Sequence, residues 1–238
     1  MRTIFWFTYF WIYQVVALFF LMRICFLKKF STPDKTSAYI HKVTHNWAKS
    51  MVKATGSTIT INGLENIPKN EPVLFVSNHQ GNFDIPLLMG FIDKPKGFMA
   101  KIELTKLPLV HTWMKLIRCV FMDRNDLRQT LKAMNEGIQI LKSGYSMVIF
   151  PEGTRSKGAP MGEFKKGSLR LAVKTEVPVI PIAINGSYKM MEANGFKIRP
   201  SHININIGNP IILTDLPKDE AKNTVSLVEN TVRDLLEN

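Results

Sequence analysis

Residues 4–27 form an apolar run broken only by Thr8, Gln14 and Arg23. As an α-helix it would be about 36 Å long, at roughly 1.5 Å per residue, which exceeds the ~30 Å hydrocarbon core of a bilayer. Arg23 and the Lys28-Lys29 pair follow it where a cleaved secretory leader would end in small residues, so the run reads as an uncleaved anchor. Trp6, Phe7, Tyr9, Phe10, Trp11 and Tyr13 crowd one half of it, the ring type that prefers the lipid–water interface. Ser31-Thr32-Pro33-Asp34 then carries the marks of a helix start, with Pro early and an acid in the first turn. Ile40, Val43, Trp47 and Met51 fall on one face of that helix, with Lys42, Lys49 and Lys53 on the other. Such a stripe serves equally for lying on a membrane surface and for packing on a core.

From residue 57 onward the period switches back and forth between two and 3.6. Strands are predicted at 58–61, 73–77, 97–100, 118–122, 146–150, 179–184 and 203–207. Helices are predicted at 84–92, 108–117, 126–142, 167–175 and 216–238, the third stopped by Gly144. The expected fold is α/β, a mixed sheet flanked by helices and preceded by an N-terminal hydrophobic helical membrane anchor. The corresponding segments are 1–30 for the anchoring helix, 31–56 for the amphipathic helix and 57–238 for the α/β domain. The edges of 177–181, Val-Pro-Val-Ile-Pro, suit a buried strand behind a pocket.

Charge narrows the partners. With 31 Lys plus Arg against 19 Asp plus Glu, the net charge is +12, which favours an anionic membrane surface or phosphorylated ligands. Nucleic acid is not expected, because the aromatics sit in the apolar leader and no nucleic-acid-binding motif occurs. The two cysteines, Cys25 and Cys119, have no Cys or His at metal-ligand spacing, so neither a disulfide framework nor a metal site is implied.

The densest chemistry is Ser77-Asn78-His79-Gln80-Gly81-Asn82-Phe83-Asp84, set between a predicted strand and a predicted helix. A carboxylate at Asp84 can hold one imidazole nitrogen of His79 protonated and leave the other as a base. Two further stretches also close apolar runs: Val120-Phe121-Met122-Asp123-Arg124 and Phe150-Pro151-Glu152-Gly153-Thr154-Arg155. Arg124 and Arg155 are suited to a phosphate, together with the backbone amides of Gly153 and Thr154. Glu152 is suited to steadying an arginine or to accepting from a ligand hydroxyl. Lys101, Lys165 and Lys166 either widen that basic funnel or form a solvated face.

In this order, His79 to Asp84, Val120 to Arg124, Pro151 to Arg155 and Val177 to Pro181 resemble the four motif blocks of the glycerolipid acyltransferase family, most closely its bacterial 1-acyl-glycerol-3-phosphate branch. The resemblance implies transfer of an acyl group from acyl-CoA or an acyl carrier protein to the sn-2 hydroxyl of lysophosphatidate, giving phosphatidate. His79 and Asp84 would then be catalytic. Arg124, Glu152, Gly153, Thr154, Arg155 and Lys101 would bind substrate, with amides at the start of helix 84–92 as oxyanion donors. No cofactor or metal is expected. The domain is expected at the cell membrane on the cytoplasmic side. Two departures stand out: Gly81 occupies a position often held by Ser, and Cys119 one where glycine is common. The rival readings are the same chemistry on another lysophospholipid or membrane alcohol, and a non-catalytic lipid-binding protein.

Overall fold

Strand side chains alternate between two buried faces, and that alternation organises the molecule. The computed structural model describes residues 1–217 and 223–237. Its strands are β1 (Thr58–Asn62), β2 (Leu74–Ser77), β3 (Lys96–Lys101), β4 (Val120–Met122), β5 (Ser146–Ile149), β6 (Val179–Asn185) and β7 (His202–Ile207). They form a seven-stranded sheet in the order β1-β7-β6-β2-β5-β3-β4. Every pairing is parallel except β6 with β7, so the sheet is mixed, as the sequence pattern predicts.

The helices are α1 (Arg2–Phe30), α2 (Pro33–Lys53), α3 (Asp84–Phe91), α4 (Pro108–Leu116), α5 (Leu127–Lys142), α6 (Arg170–Thr175) and α7 (Thr224–Glu237). Val73, Phe75, Val148, Ile180 and Ile182 turn to a core shared with α1, α2 and α3. Leu74, Val76, Met147, Ile149 and Val179 turn the other way, to α5, α6 and α7. All four residues of β2 are buried; full burial of a side chain such as Leu74 or Phe75 contributes about 1.5–3 kcal/mol. The apolar stripe of α2 is likewise inside: Ile40, Val43 and Met51 are buried, and the helix packs chiefly on α3.

Some element ends differ from the sequence reading, two of them for a local backbone reason. The strand expected from 118 begins at Val120, because Arg118 has φ 56°, a left-handed turn that no strand residue adopts. The helix expected over 167–175 begins at Arg170. The last helix begins at Thr224 rather than Leu216, since Leu216 is extended at φ −70°, ψ 142° and Pro217 follows it. Residues 218–222 and Asn238 of that expected helix lie outside the described residues.

Helix α1, with a mean hydropathy of 2.0 over its most apolar window, is long and apolar enough to cross a membrane. Phe5, Trp11, Phe19 and Phe26 are exposed along it. Its inner face docks on the rest of the protein: Trp6 Nε1 donates to the Met51 carbonyl at 2.9 Å, and the Trp6 ring packs edge-on against Phe83 at 5.5 Å. The apolar leader therefore reaches the residue beside Asp84.

Lys96 opens β3 with its side chain in the core. Its Nζ donates to the Ile92 carbonyl at 2.7 Å and lies 5.9 Å above the Phe75 ring. Burial drives its pKa from the ordinary lysine value down to about 7. Between about pH 7 and the ordinary lysine pKa, the unfolded chain then binds more protons than the folded one, so stability rises with pH. The buried Cys119 thiol, pushed up to about 12, acts in the opposite sense above roughly pH 8.5, where an unfolded cysteine ionises. Urea unfolding of the wild type should therefore show a midpoint that climbs between about pH 7 and 8.5. Lys96→Met should flatten that climb; an unchanged slope in the variant would contradict the assignment.

Candidate active site

Strand β2 ends at Ser77, in the middle of the sheet between β5 and β6, and the chain turns there into α3. The turn is pinned first by Asn78, buried, whose amide group both donates to and accepts from the backbone of Ile184, at 2.9 and 2.8 Å. His79 follows. Its Nδ1 lies 2.6 Å from Asp84 Oδ2. The same oxygen accepts from the backbone N–H of Gln80 and Gly81, at 2.7 and 2.8 Å, and Oδ1 accepts from the Ser187 hydroxyl. Asp84 is fully shielded from solvent, while the His79 side chain stays 17% exposed. A carboxylate that accepts four hydrogen bonds leaves the proton on Nδ1, so Nε2 is the free base. The imidazole stacks on Phe150 from the end of β5, with ring centroids 4.1 Å apart, which fixes its plane.

Glu152 is not where the sequence reading placed it. Its Oε1 accepts from the His79 backbone N–H at 2.6 Å and its Oε2 from that of Gly162 at 2.9 Å. Burial pushes its carboxyl above the usual range, against the pull of those two amides. Among the described residues it pairs with no arginine, and it does not line the cavity; it braces the backbone of the histidine. Carboxylates also take the amides of the loop that leads into α3. The successive amides of His79, Gln80, Gly81 and Asn82 are all taken by carboxylates, the last by Glu192 Oε1 at 2.7 Å. None of these four amides is open to a ligand in the cavity.

His79, Lys101, Arg124, Gly153, Thr154 and Arg155 all line one cavity of about 810 Å³. Arg124 follows β4 and Arg155 follows β5, so both reach the same carboxyl-end edge of the sheet, where open α/β sheets bind ligands. Arg155 Nη1 donates to Asn82 Oδ1, joining the loop after β5 to the histidine loop. Backbone bonds from Ser156 and Lys157 to the carbonyls of His79 and Gln80, at 2.8 and 3.0 Å, do the same. Gly153 sits at φ 72°, and a Cβ there would lie 2.9 Å from Lys165 Nζ and 3.4 Å from Arg124 Nη1. Lys165 therefore joins the arginine cluster, while Lys166 is exposed beside it. Burial lowers the Arg124 pKa, partly offset by Glu103, but a guanidinium stays charged. Much of the remaining wall is apolar, with Trp6, Phe10 and Phe20 from α1 and Trp47 and Met51 from α2, and Gln14, Thr44, Asn82, Glu103 and Lys157 add polar groups to it.

Ser187 and Glu192, after β6, have no signal in the sequence near the histidine. Only the position of β6 beside β2 brings them there. One other cluster, His41, His45 and Asp93, offers metal-type donor atoms within 4.8 Å of one another. It is instead a hydrogen-bonded pair among cations. His41 Nε2 is 2.8 Å from Asp93 Oδ1, that hydrogen bond holds the Asp93 carboxyl below its usual range, and Lys96 and Lys49 face His45.

The Acyltransferase family profile matches residues 58–185. The chain is 39% identical over 142 residues to the probable 1-acyl-sn-glycerol-3-phosphate acyltransferase of Mycoplasma pneumoniae, covering 58% of this chain and 53% of that protein. It is 34% identical over 196 residues to a chloroplastic 1-acyl-sn-glycerol-3-phosphate acyltransferase of Brassica napus, covering 81% and 56%. The chain thus spans about half the length of these curated relatives. The crystal structure of the 1-acyl-sn-glycerophosphate acyltransferase PlsC from Thermotoga maritima superposes with a TM-score of 0.88 at 32% identity, covering 99% of this chain and 93% of that one.

Two neighbouring residues of one motif should behave oppositely towards denaturant. Glu152→Ala orphans two backbone N–H groups and should cost roughly 2–4 kcal/mol. Arg155→Ala, on an exposed side chain, should stay within about 0.5 kcal/mol of wild type. Equal losses in urea titrations would contradict the division of labour.

Proposed function

The chain belongs to the acyltransferase family, and from that membership we propose that it moves an acyl group from a thioester to the sn-2 hydroxyl of lysophosphatidate, releasing phosphatidate and a free thiol. The observation that carries this reading is the sharing of one cavity by an Asp84-held imidazole and two arginines. Nε2 of His79 takes the proton of the attacking hydroxyl as its oxygen bonds to the thioester carbonyl carbon. Asp84 stabilises the imidazolium that results. The C–S bond then breaks, and the imidazolium proton passes to the departing thiolate. No acyl-enzyme is formed: Ser77 Oγ is buried and bonded to the Asn78 carbonyl, and it lies outside any nucleophile elbow.

Arg124, Arg155 and Lys165 hold the acceptor's phosphate, and the backbone at Gly153 lies close beneath them because no side chain intervenes. The apolar walls supplied by α1 and α2 take the acyl chain. The aromatic face of α1 supports seating on a bilayer, and the basic residues Lys28 and Lys29 at its end support a cytoplasmic side for the catalytic domain. The donor is acyl-CoA or an acyl carrier protein, both anionic, which suits a net charge of +12.

Purified protein should convert labelled lysophosphatidate to phosphatidate with one of these donors. His79→Ala should lower kcat by about 10²–10⁴-fold. Arg124→Ala should raise KM for lysophosphatidate by roughly ten- to a hundredfold, with much less effect on an uncharged acceptor. Equal loss on both acceptors would favour another lysophospholipid or membrane alcohol as substrate. Absence of product with every donor would leave a lipid-binding protein.

A further inference from the structure

The carboxylate of Glu192 sits in a 3-10 turn (Glu192–Asn194) beyond β6, pressed against the histidine loop. Its Oε1 accepts the Asn82 backbone N–H at 2.7 Å. Its Oε2 is shut off from solvent without a hydrogen-bond partner among the described residues. A Cβ added to Gly81 would come within 2.5 Å of that oxygen and 2.9 Å of the carboxyl carbon. Glu192 and Gly81 therefore exclude each other's larger alternatives: the space in which a serine would stand at position 81 is filled by this carboxylate. A solvent-shielded, unbonded carboxylate oxygen is costly, and the site keeps it in order to secure Asn82. The Asn82 side-chain oxygen in turn receives Arg155.

We propose that Glu192 is a positioning residue that sets the grip on the acceptor's phosphate through Asn82 and Arg155, and that glycine at position 81 is the condition for its presence. The role rests on the acyl-transfer reading above. Glu192 touches neither His79 nor Asp84 by hydrogen bond, so its removal acts on acceptor binding more than on proton transfer.

Steady-state kinetics on the purified full chain, with lysophosphatidate varied, separates these effects. Glu192→Ala should raise KM for lysophosphatidate roughly tenfold, the worth of one charge-assisted hydrogen bond, with kcat within about threefold of wild type. Glu192→Gln keeps an acceptor for the Asn82 amide and should restore most of the affinity. Gly81→Ser alone should lose kcat/KM, and adding Glu192→Ala to it should recover part of that loss, a non-additive cycle. The proposal is overturned if Glu192→Gln is as impaired as Glu192→Ala, if kcat falls in step with affinity, or if the losses in the double variant simply multiply. Should Glu192→Ala not fold, Glu192→Asp, whose shorter side chain withdraws from position 81, supplies the cycle when combined with Gly81→Ser: recovery relative to Gly81→Ser supports the role, and none contradicts it. A wild-type protein that transfers no acyl group would instead remove the acyl-transfer reading on which this role stands.

Discussion

One buried carboxylate organises the edge of the sheet that faces the cavity. Asp84 accepts from the imidazole of His79, from two successive backbone amides and from a hydroxyl that arrives from beyond β6. A charge with no access to water is tolerable only when it is so completely bonded, and its place in the first turn of α3 adds the favourable end of the helix dipole. The cost of leaving any of those partners unpaired holds the loop in a single shape. The orientation of the imidazole is a by-product of that necessity. Asp84 has two carboxylate assistants: Glu152 takes the amide of His79 and Glu192 the amide of Asn82.

The sheet makes this convergence possible. β2 runs between β5 and β6, all three parallel, so the segments leaving their carboxyl ends emerge side by side. The histidine loop comes from β2, Phe150 to Arg155 from β5, and Ser187 with Glu192 from β6. The crossovers through α3, α5 and α6 carry the chain back each time, and β4 delivers Arg124 to the same edge. The two N-terminal helices close one side of the cavity, and Trp6 lies directly against Phe83. The long apolar helix α1 and the histidine turn are thus one packed unit.

Much of this was legible in the sequence, and the parts that were not share a cause. Strands and helices are written in local periodicity, and the α/β class follows from their alternation. The errors fell at ends governed by a single backbone angle, at Arg118 and Leu216, to which side-chain hydrophobicity is blind. His79 and Asp84 are five residues apart and span a strand-to-helix turn, so their pairing could be read locally. Arg124 and Arg155 each close an apolar run, which places them at strand ends, and the ordered motif blocks pointed them to the same site. Glu152 was read as steadying an arginine or accepting from a ligand hydroxyl, because sequence gives its charge but not its direction, which burial and two backbone amides decide. Ser187 and Glu192 meet the loop from more than a hundred residues away. Only the order of the strands, which periodicity does not specify, puts them there.

The most direct test of this account is the tautomer of one ring. Selective ¹⁵N labelling of the five histidines, with His79 assigned by its absence in the His79→Ala spectrum, would report which imidazole nitrogen carries the proton at neutral pH. The account requires a proton on Nδ1, shifted downfield by its bond to Asp84, and a bare Nε2 facing the cavity. A His79 ring protonated on Nε2, or one whose nitrogens are unchanged by Asp84→Asn, would contradict it.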